Sequence, residues 1–562
     1  MQMTDPHGPL PEPKSPVPEA PEPWLRVWLA PLAVTLLAVL VRVASLDHGA
    51  YVDELYHLLA ARGWLAEGEL RIAEGIYPRA AAYSVLTAWA FELFGESLLV
   101  ARSLAVLFGS LLVLAVFVWT RRVAGGVAAW TAALLLCFSP DAIMVSRFAR
   151  FYALHGFLFF LGAIGVYSLI ERRPGLRSAA LIGLGSAACF ALAFHLQVTT
   201  AVGLLGILLW TGLVVVLPWF VATFRTRPGL GWTLLAGALL AGAGAAAVVL
   251  GSGLGEHLLA MLRATAPWAA ELQDAFWYYH VSLGEQYGSL WPLTPLAALI
   301  GLATRPRPTV FCLLVFTPAL IVHSFGGMKS MRYLYYVLPF LFVLWGIALE
   351  AVGRGLLGFV RRTGEEASDV FGLRPRRWLL DRALPVVLVL FMVASNGAFV
   401  AGMGMMLGVE RFMPVRDAPR WEAARAHLEP WLEEADVVVT GSELEALYYL
   451  DRYDVLVSRS RAAEISQHGD FDPDPRTGRP VITTSASLEL LTDCYRTGLI
   501  VTPARLWRME PHIDREVANW ILEHTRPLWL PPDLRVMAFV WDRPVTAAGP
   551  ECAPVDGLLA AR

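Results

Sequence analysis

Two adjacent carboxylates, Asp53 and Glu54, follow the first long apolar segment, Trp24 to Leu46, by only a few residues. That segment can cross a bilayer, which takes roughly 20 apolar residues. Acidic groups beside hydrocarbon are costly and point to function by default. On a helix starting at Asp53, neighbouring side chains diverge by about 100°, so the two acids have separate tasks. One faces a reaction centre as a general base for a hydroxyl or amine, and the other is held by an arginine, a metal or backbone donors. Tyr56 and His57, three and four positions on, share the face of Asp53. The plain alternative is that Asp53 only caps the helix.

Cations recur at two other places. Arg147 and Arg150 stand three apart in Ser146-Arg147-Phe148-Ala149-Arg150-Phe151-Tyr152. On one helix face, two guanidinium groups suit a phosphate; the competing explanation is snorkelling toward lipid headgroups. Lys329 and Arg332 repeat the spacing after Gly326-Gly327, where glycine permits close approach of backbone to a ligand. Lysine occurs only at Lys14 and Lys329, so an ammonium at 329 stands out against the arginine habit. Two cationic pairs and an acidic pair together suggest an anionic, phosphate-bearing substrate approached by a base. Tyr152 and Tyr333 flank the cations as candidate phosphate-site residues, and Tyr56, His57, Tyr83, His195 and His280 are further candidate substrate contacts. A lone histidine such as His195 is more often part of the structure than a ligand. The loop carrying Glu271, Asp274, Trp277, Tyr278, Tyr279 and His280 either stacks on sugar or forms an interfacial aromatic belt. No spacing makes a convincing metal site; Glu54 with His57 or His280 is the one open option. No cofactor is required.

These residues must be positioned by a membrane protein. The chain has 562 residues, of which 56% are hydrophobic, with mean hydropathy +0.53. A net charge of −3 leaves no basic footprint for nucleic acid. The charge is uneven, since residues 409–562 hold 25 acidic and 17 basic side chains, a balance of −8. Residues 1–23, with eight prolines, read as a disordered cytoplasmic tail. The first apolar run lacks a cleavage pattern and reads as a retained signal anchor.

About eleven spanning runs are expected, near 24–46, 98–120, 124–145, 152–170, 178–195, 198–222, 231–251, 288–304, 309–325, 333–352 and 383–408. Every second connection is arginine-rich: Arg121-Arg122, Arg172-Arg173 with Arg177, Arg225 with Arg227, Arg305 with Arg307, and Arg354 to Arg382. The positive-inside rule places those loops and the N-terminus inside. The outer face then receives 47–97, 146–152, 252–287, 324–333 and the C-terminal residues. Segments 53–64 and 81–94 are expected to be amphipathic helices lying in the interface. Residues 409–562 alternate strands (437–439, 455–457, 481–483, 499–501, 536–541) with helices (421–432, 443–450, 487–495, 513–524), making a small α/β domain. Gly441 sits in a strand-to-helix turn, but no glycine-rich fingerprint follows, so no nucleotide site is expected. Cys137, Cys189 and Cys312 fall in spans as apolar fillers; Cys494 and Cys552 could pair outside.

The assembled pattern resembles the GT-C membrane glycosyltransferases, and in particular the bacterial relatives of protein O-mannosyltransferases and of the aminoarabinose transferase that modifies lipid A. The likeness rests on Tyr51-Val52-Asp53-Glu54-Leu55-Tyr56, on Leu93-Phe94-Gly95-Glu96-Ser97 with Arg102, on Ser146 to Tyr152, and on Lys329-Ser330-Met331-Arg332-Tyr333 with Pro339. It covers roughly residues 24–408 and extends only loosely to the α/β domain. Where relatives often show His/Tyr-Pro-Pro-Leu, this chain has Tyr77-Pro78-Arg79-Ala80, so substrate identity does not carry over.

The resemblance implies an α-helical polytopic protein of the bacterial inner membrane with an extracytoplasmic α/β domain. It would be an inverting enzyme moving a sugar from a polyprenyl-phosphate carrier to a protein, lipid or glycan acceptor. It further implies that Asp53 takes the acceptor's proton while Arg147, Arg150, Lys329 and Arg332 neutralise the departing phosphate. A transporter or flippase of a lipid-linked glycan is the alternative. It would bury charge at the bilayer midplane in paired repeats, whereas here the notable charges cluster on one face.

Overall fold

The computed structural model describes residues 24–555 with short breaks at 45, 47–48, 266, 372–376, 413–417, 466–468, 511, 548–551 and 553–554. The proline-rich tail, 1–23, lies outside the described residues. Helices fill most of the chain up to Met406, and a seven-stranded sheet follows.

Among the described residues, seven helices are long and apolar enough to cross a membrane, or up to nine if each of two bent pairs counts as one span. Two of the expected runs, 124–145 and 383–408, are bent by local chemistry at a break. Ser139 accepts a hydrogen bond from the Ala142 amide and Pro140 takes the first helical position. A cap and a proline start a new helix there, and the two halves, Gly126–Phe138 and Pro140–Arg147, bend by 58°. A second break at Ser395-Asn396 turns the chain by 81°. The run near 24–46 is the 20-residue helix Trp24–Val43, and the run near 288–304 yields a shorter apolar helix, Thr294–Thr304.

The connections sort to two ends of the bundle. Arg307 bonds Glu171 at 2.6 Å and Arg354 donates to the Ala124 carbonyl at 3.2 Å, so the arginine-rich loops meet each other. The start of helix Val52–Glu67, the turn at Arg150 and the Lys329–Arg332 segment meet at another place, beneath the sheet.

A short hairpin, β1 (Arg71–Ile72) with β2 (Gly75–Ile76), precedes the sheet in sequence. The sheet comprises β3 (Val437–Thr440), β4 (Val455–Val457), β5 (Asp472–Pro473), β6 (Pro480–Ile482), β7 (Thr497–Pro503), β8 (Arg526–Leu528) and β9 (Val536–Asp542), in the order β5-β6-β4-β3-β7-β9-β8. Strands β6, β4, β3 and β7 are parallel, and β5, β9 and β8 add antiparallel edges. Helices Trp421–Glu434, Ser485–Cys494 and Arg515–His524 fall where expected. The segment expected to be helical over 443–450 is a single turn, Glu443–Glu445, continued by a π-helical turn, Ala446–Leu450. Cys494 and Cys552 are disulfide-bonded.

The Val52–Glu67 helix is not an interfacial helix. Its residues 54–61 are buried, and Leu55, Leu58 and Leu59 share one apolar core with Leu444, Tyr453, Leu456 and Val501 of the sheet region. Protein, rather than lipid, covers its apolar face. The hairpin reinforces this docking, because Arg479 bonds Glu74 at 2.8 Å and the Glu74 amide donates to the Thr477 carbonyl at 3.0 Å. The Ala81–Phe94 helix keeps Trp89, Leu93 and Phe94 exposed, as an interfacial helix would.

Candidate functional site

Asp53 and Glu54 do separate. Both sit in the first turn of the Val52–Glu67 helix. Glu54 is fully buried and saturated: it accepts from the amides of Tyr51 (2.8 Å) and Ala149 (2.7 Å) and from Arg102, whose Nη2 lies 2.7 Å away. Arg102, equally buried, also donates to the carbonyls of Leu46 and Gly49. Of the two candidate catalytic acids, Glu54 is thus the one held by an arginine and backbone donors, and its lone pairs fasten three chain segments together rather than facing a substrate. Asp53 faces a cavity of about 680 Å³. Arg332 Nη1 approaches its Oδ2 at 2.8 Å and Arg150 Nη1 at 3.3 Å, while Arg150 also donates to the Asp53 carbonyl. No hydrogen bond from a described residue reaches Oδ1. Burial acts to raise the Asp53 pKa, but the two guanidinium groups outweigh it and hold the carboxyl below its ordinary range.

The cations divide likewise. Arg150 is nearly buried, stacks on Phe151 and Tyr152, and lines the cavity with Arg332, which lies over Tyr152 and Tyr333. Arg79 lines it too, exposed and without a carboxylate partner among the described residues. Three guanidinium groups against Asp53 leave a positive surplus on this wall, which favours an anion. A joined cavity of about 250 Å³ shares Tyr51, Asp53, Arg150, Tyr152, Met328 and Arg332, and adds Lys329 with the apolar Met144, Val145 and Phe148. Lys329 turns its ammonium back onto the carbonyls of Gly326 and Gln273. Neither glycine before it lines either cavity; Gly327 is packed against backbone, where a Cβ would collide with the carbonyl oxygen of Arg263.

Arg147 is elsewhere. The helix ends at Arg147 and Phe148 is extended, so the three-residue spacing to Arg150 is not a shared helix face. Arg147 is fully buried and donates to the carbonyls of Val41, Arg42 and Met405. Those bonds satisfy the last carbonyls of the first span and of a bent helix pair. Arg147→Ala is therefore expected to lower the unfolding temperature in detergent while the folded fraction binds polyprenyl phosphate as before. Weakened binding by that fraction would restore Arg147 to the site.

Among the remaining candidates, Tyr56 lines the cavity, stacks on Tyr77 at 4.8 Å and accepts a 2.6 Å hydrogen bond from Arg476. His57 and Tyr83 lie behind the wall. His57 contacts Ser84 Oγ at 2.8 Å, and burial pushes its pKa well down, with Arg150 and Arg79 adding to the effect. Tyr83 is buried against His57. His195 accepts from the Ala82 amide at 3.3 Å, tying two helices together outside the cavity. His280 belongs to an aromatic cluster with Phe276, Trp277 and Trp291, also outside it. Among the described residues no group of three or more His, Cys, Asp or Glu could hold a metal ion, and Glu54 is occupied by Arg102.

Sequence reasoning missed the sheet's contribution. Ser442, Glu443, Ser460, Arg461, Arg476 and Arg505 line the same cavity. Arg476 meets Tyr56 across 420 residues of sequence, so no local spacing could reveal it. The one available signal was the turn at Gly441, where a Cβ would stand 2.6 Å from Thr502 Oγ1.

This architecture, a helical bundle carrying an α/β unit over an acid–arginine cavity, is the fold that the sequence resemblance implies, and two solved structures share it. The chain is similar to the crystal structure of ArnT from Cupriavidus metallidurans bound to undecaprenyl phosphate. Identity is 16% and the TM-score 0.58, over 94% of this chain and 100% of that one. It is also similar to the archaeal oligosaccharyltransferase AglB from Archaeoglobus fulgidus, in complex with an inhibitory peptide and a dolichol-phosphate. There, identity is 14% and the TM-score 0.55, over 87% of this chain and 70% of that one. No protein-family model and no curated protein matches the chain in sequence.

Proposed function

We propose that this protein is an inverting glycosyltransferase that moves a sugar from a polyprenyl-phosphate carrier to an acceptor outside the cytoplasm. The observation that carries the reading is the gradation of its joined cavities: a carboxylate and three guanidinium groups pass into Met144, Val145, Phe148 and Met328. Such a site matches an amphiphile with a phosphate head and an isoprenoid tail. The fold shared with an ArnT bound to undecaprenyl phosphate supports it. The Cys494–Cys552 disulfide supports placing the α/β unit outside, since disulfides persist in oxidising compartments. The N-terminus would then be cytoplasmic and residues 409–562 an extracytoplasmic domain.

Arg150 and Arg332 hold the donor phosphate, with Arg79 adding charge at the mouth. Asp53 Oδ1 takes the proton from the acceptor hydroxyl or amine. The acceptor atom bonds the anomeric carbon as its bond to the phosphate oxygen breaks, and the lipid phosphate leaves with that electron pair. Preorganised cations facing the developing negative charge supply the electrostatic part of the rate. Arg150→Ala tests the assignment. It removes one charge-assisted pair, worth about 2 kcal/mol, so binding of undecaprenyl phosphate to the purified protein should weaken roughly thirtyfold. Unchanged binding would remove the phosphate from this cavity.

A further inference from the structure

The second wall of the main cavity has a different character. In a doubly wound sheet, ligands bind outside the carboxyl ends of the strands where the strand order reverses, because the loops there diverge and leave a crevice. Here the chain runs from β3 to β4 to β6 toward one edge and then returns to β7 on the other side of β3. Reversal falls between β3 and β7. The residues just past these strand ends, Ser442 and Glu443 after β3, Ser460 after β4 and Arg505 after β7, all line the cavity.

This wall carries no surplus positive charge. Arg505 Nη2 bonds both oxygens of Glu445 at 2.9 Å. Arg461 bonds Asp474 at 2.6 Å and Arg476 bonds Glu464 at 2.8 Å. Each guanidinium is thus matched to a carboxylate, unlike those around Asp53. What remains is Glu443, half-buried, whose desolvation raises its carboxyl pKa. It shares the wall with Ser442, which donates to Glu445, and with the hydroxyl pair Ser458 and Ser460. Hydroxyls that donate and accept, guanidinium edges that donate and a carboxyl that accepts are complementary to vicinal sugar hydroxyls.

We propose that this carboxyl-edge crevice is the acceptor subsite, that it takes a neutral, polyhydroxylated glycan, and that Glu443 hydrogen-bonds a hydroxyl of that glycan. The proposal rests on the glycosyl-transfer reading and deepens it: the bundle wall grips the charged donor, and the sheet wall grips the uncharged acceptor. Asp53 and Glu443, on different walls, then divide proton removal and acceptor positioning between them.

The test uses the full chain in proteoliposomes. The donor is the polyprenyl-phosphate lipid fraction of cells lacking the chain, and the acceptor is their envelope glycan fraction, titrated. Glu443→Gln and Ser460→Phe should each raise the amount of envelope glycan needed for half-maximal transfer about tenfold or more, the scale expected when a hydroxyl-binding site is disturbed. Undecaprenyl phosphate binding, which also reports folding, should be unchanged, and Glu443→Asp should restore part of the loss. Periodate, which cleaves vicinal diols, should destroy the acceptor capacity of the fraction. Half-saturation that stays put in both variants, or transfer that survives periodate, overturns the proposal while leaving the broader reading intact. A wild-type protein that transfers nothing from the lipid fraction rejects the glycosyl-transfer reading, and the acceptor assignment with it.

Discussion

Asp53→Asn should lower sugar transfer about a thousandfold, the middle of the range that a positioned general base contributes, while undecaprenyl phosphate still binds. Asparagine keeps the size and an oxygen for Arg332 but cannot take the proton. Removing the negative charge also leaves Arg150 and Arg332 without their counter-ion, so the donor phosphate should bind as well as before or more tightly. A fall in kcat without a fall in donor affinity is the signature expected. The pH profile supplies a second check. In the free enzyme the two arginines hold the Asp53 pKa below its usual range, which keeps it ionised but weakens it as a base. A bound phosphate neutralises those arginines and relieves the depression. The acid limb of kcat, which reports the enzyme–donor complex, should therefore lie at higher pH than that of kcat/KM, which reports the free enzyme. Undiminished turnover by the variant, or coincident acid limbs, would remove Asp53 from the proton transfer.

The asymmetry between Asp53 and Glu54 was legible because adjacent helix positions point apart. Which acid would face the cavity was not, since that depends on Arg102, 48 residues away. Arg147 and Arg150 mislead for a related reason. Their spacing implies a shared face only if the helix continues, and it stops at Arg147, where Phe148 turns extended to stack on Tyr51. The eleven apolar runs were visible as hydropathy, but a hydropathy window is blind to Ser139-Pro140, where one hydroxyl and one ring redirect the chain. The strands of the α/β unit were readable from β-branched runs, and β3, β4, β6, β7 and β9 lie close to the expected positions. Its place over the active cavity was not readable, because the contacts that dock it, such as Arg476 to Tyr56 and Arg479 to Glu74, join residues more than 400 apart.

Arg102→Met should be the most destabilising single change in the bundle half of the protein. It strands Glu54 as an uncompensated buried charge, which costs about 3–5 kcal/mol, and it removes the Arg102 hydrogen bonds to the carbonyls of Leu46 and Gly49. Glu54→Leu should cost a similar amount, because Arg102 is then the stranded ion and the amides of Tyr51 and Ala149 lose their acceptor. Donor binding should fall with it in the molecules that remain folded. The Ala149 amide is the anchor next to Arg150, and Tyr51 caps the helix that presents Asp53. The double variant Glu54→Leu/Arg102→Met separates charge burial from anchoring. With neither ion left in the interior, its thermal stability in detergent should exceed that of either single variant, because burying apolar groups of similar volume in place of an ion pair is often close to neutral. Its donor affinity should nevertheless stay low, since no acceptor remains for the two amides that set the positions of Asp53 and Arg150. Destabilisation equal to the sum of the single changes would mean that the two side chains act independently. Donor affinity restored along with stability would mean that Glu54 only fills space beneath the site.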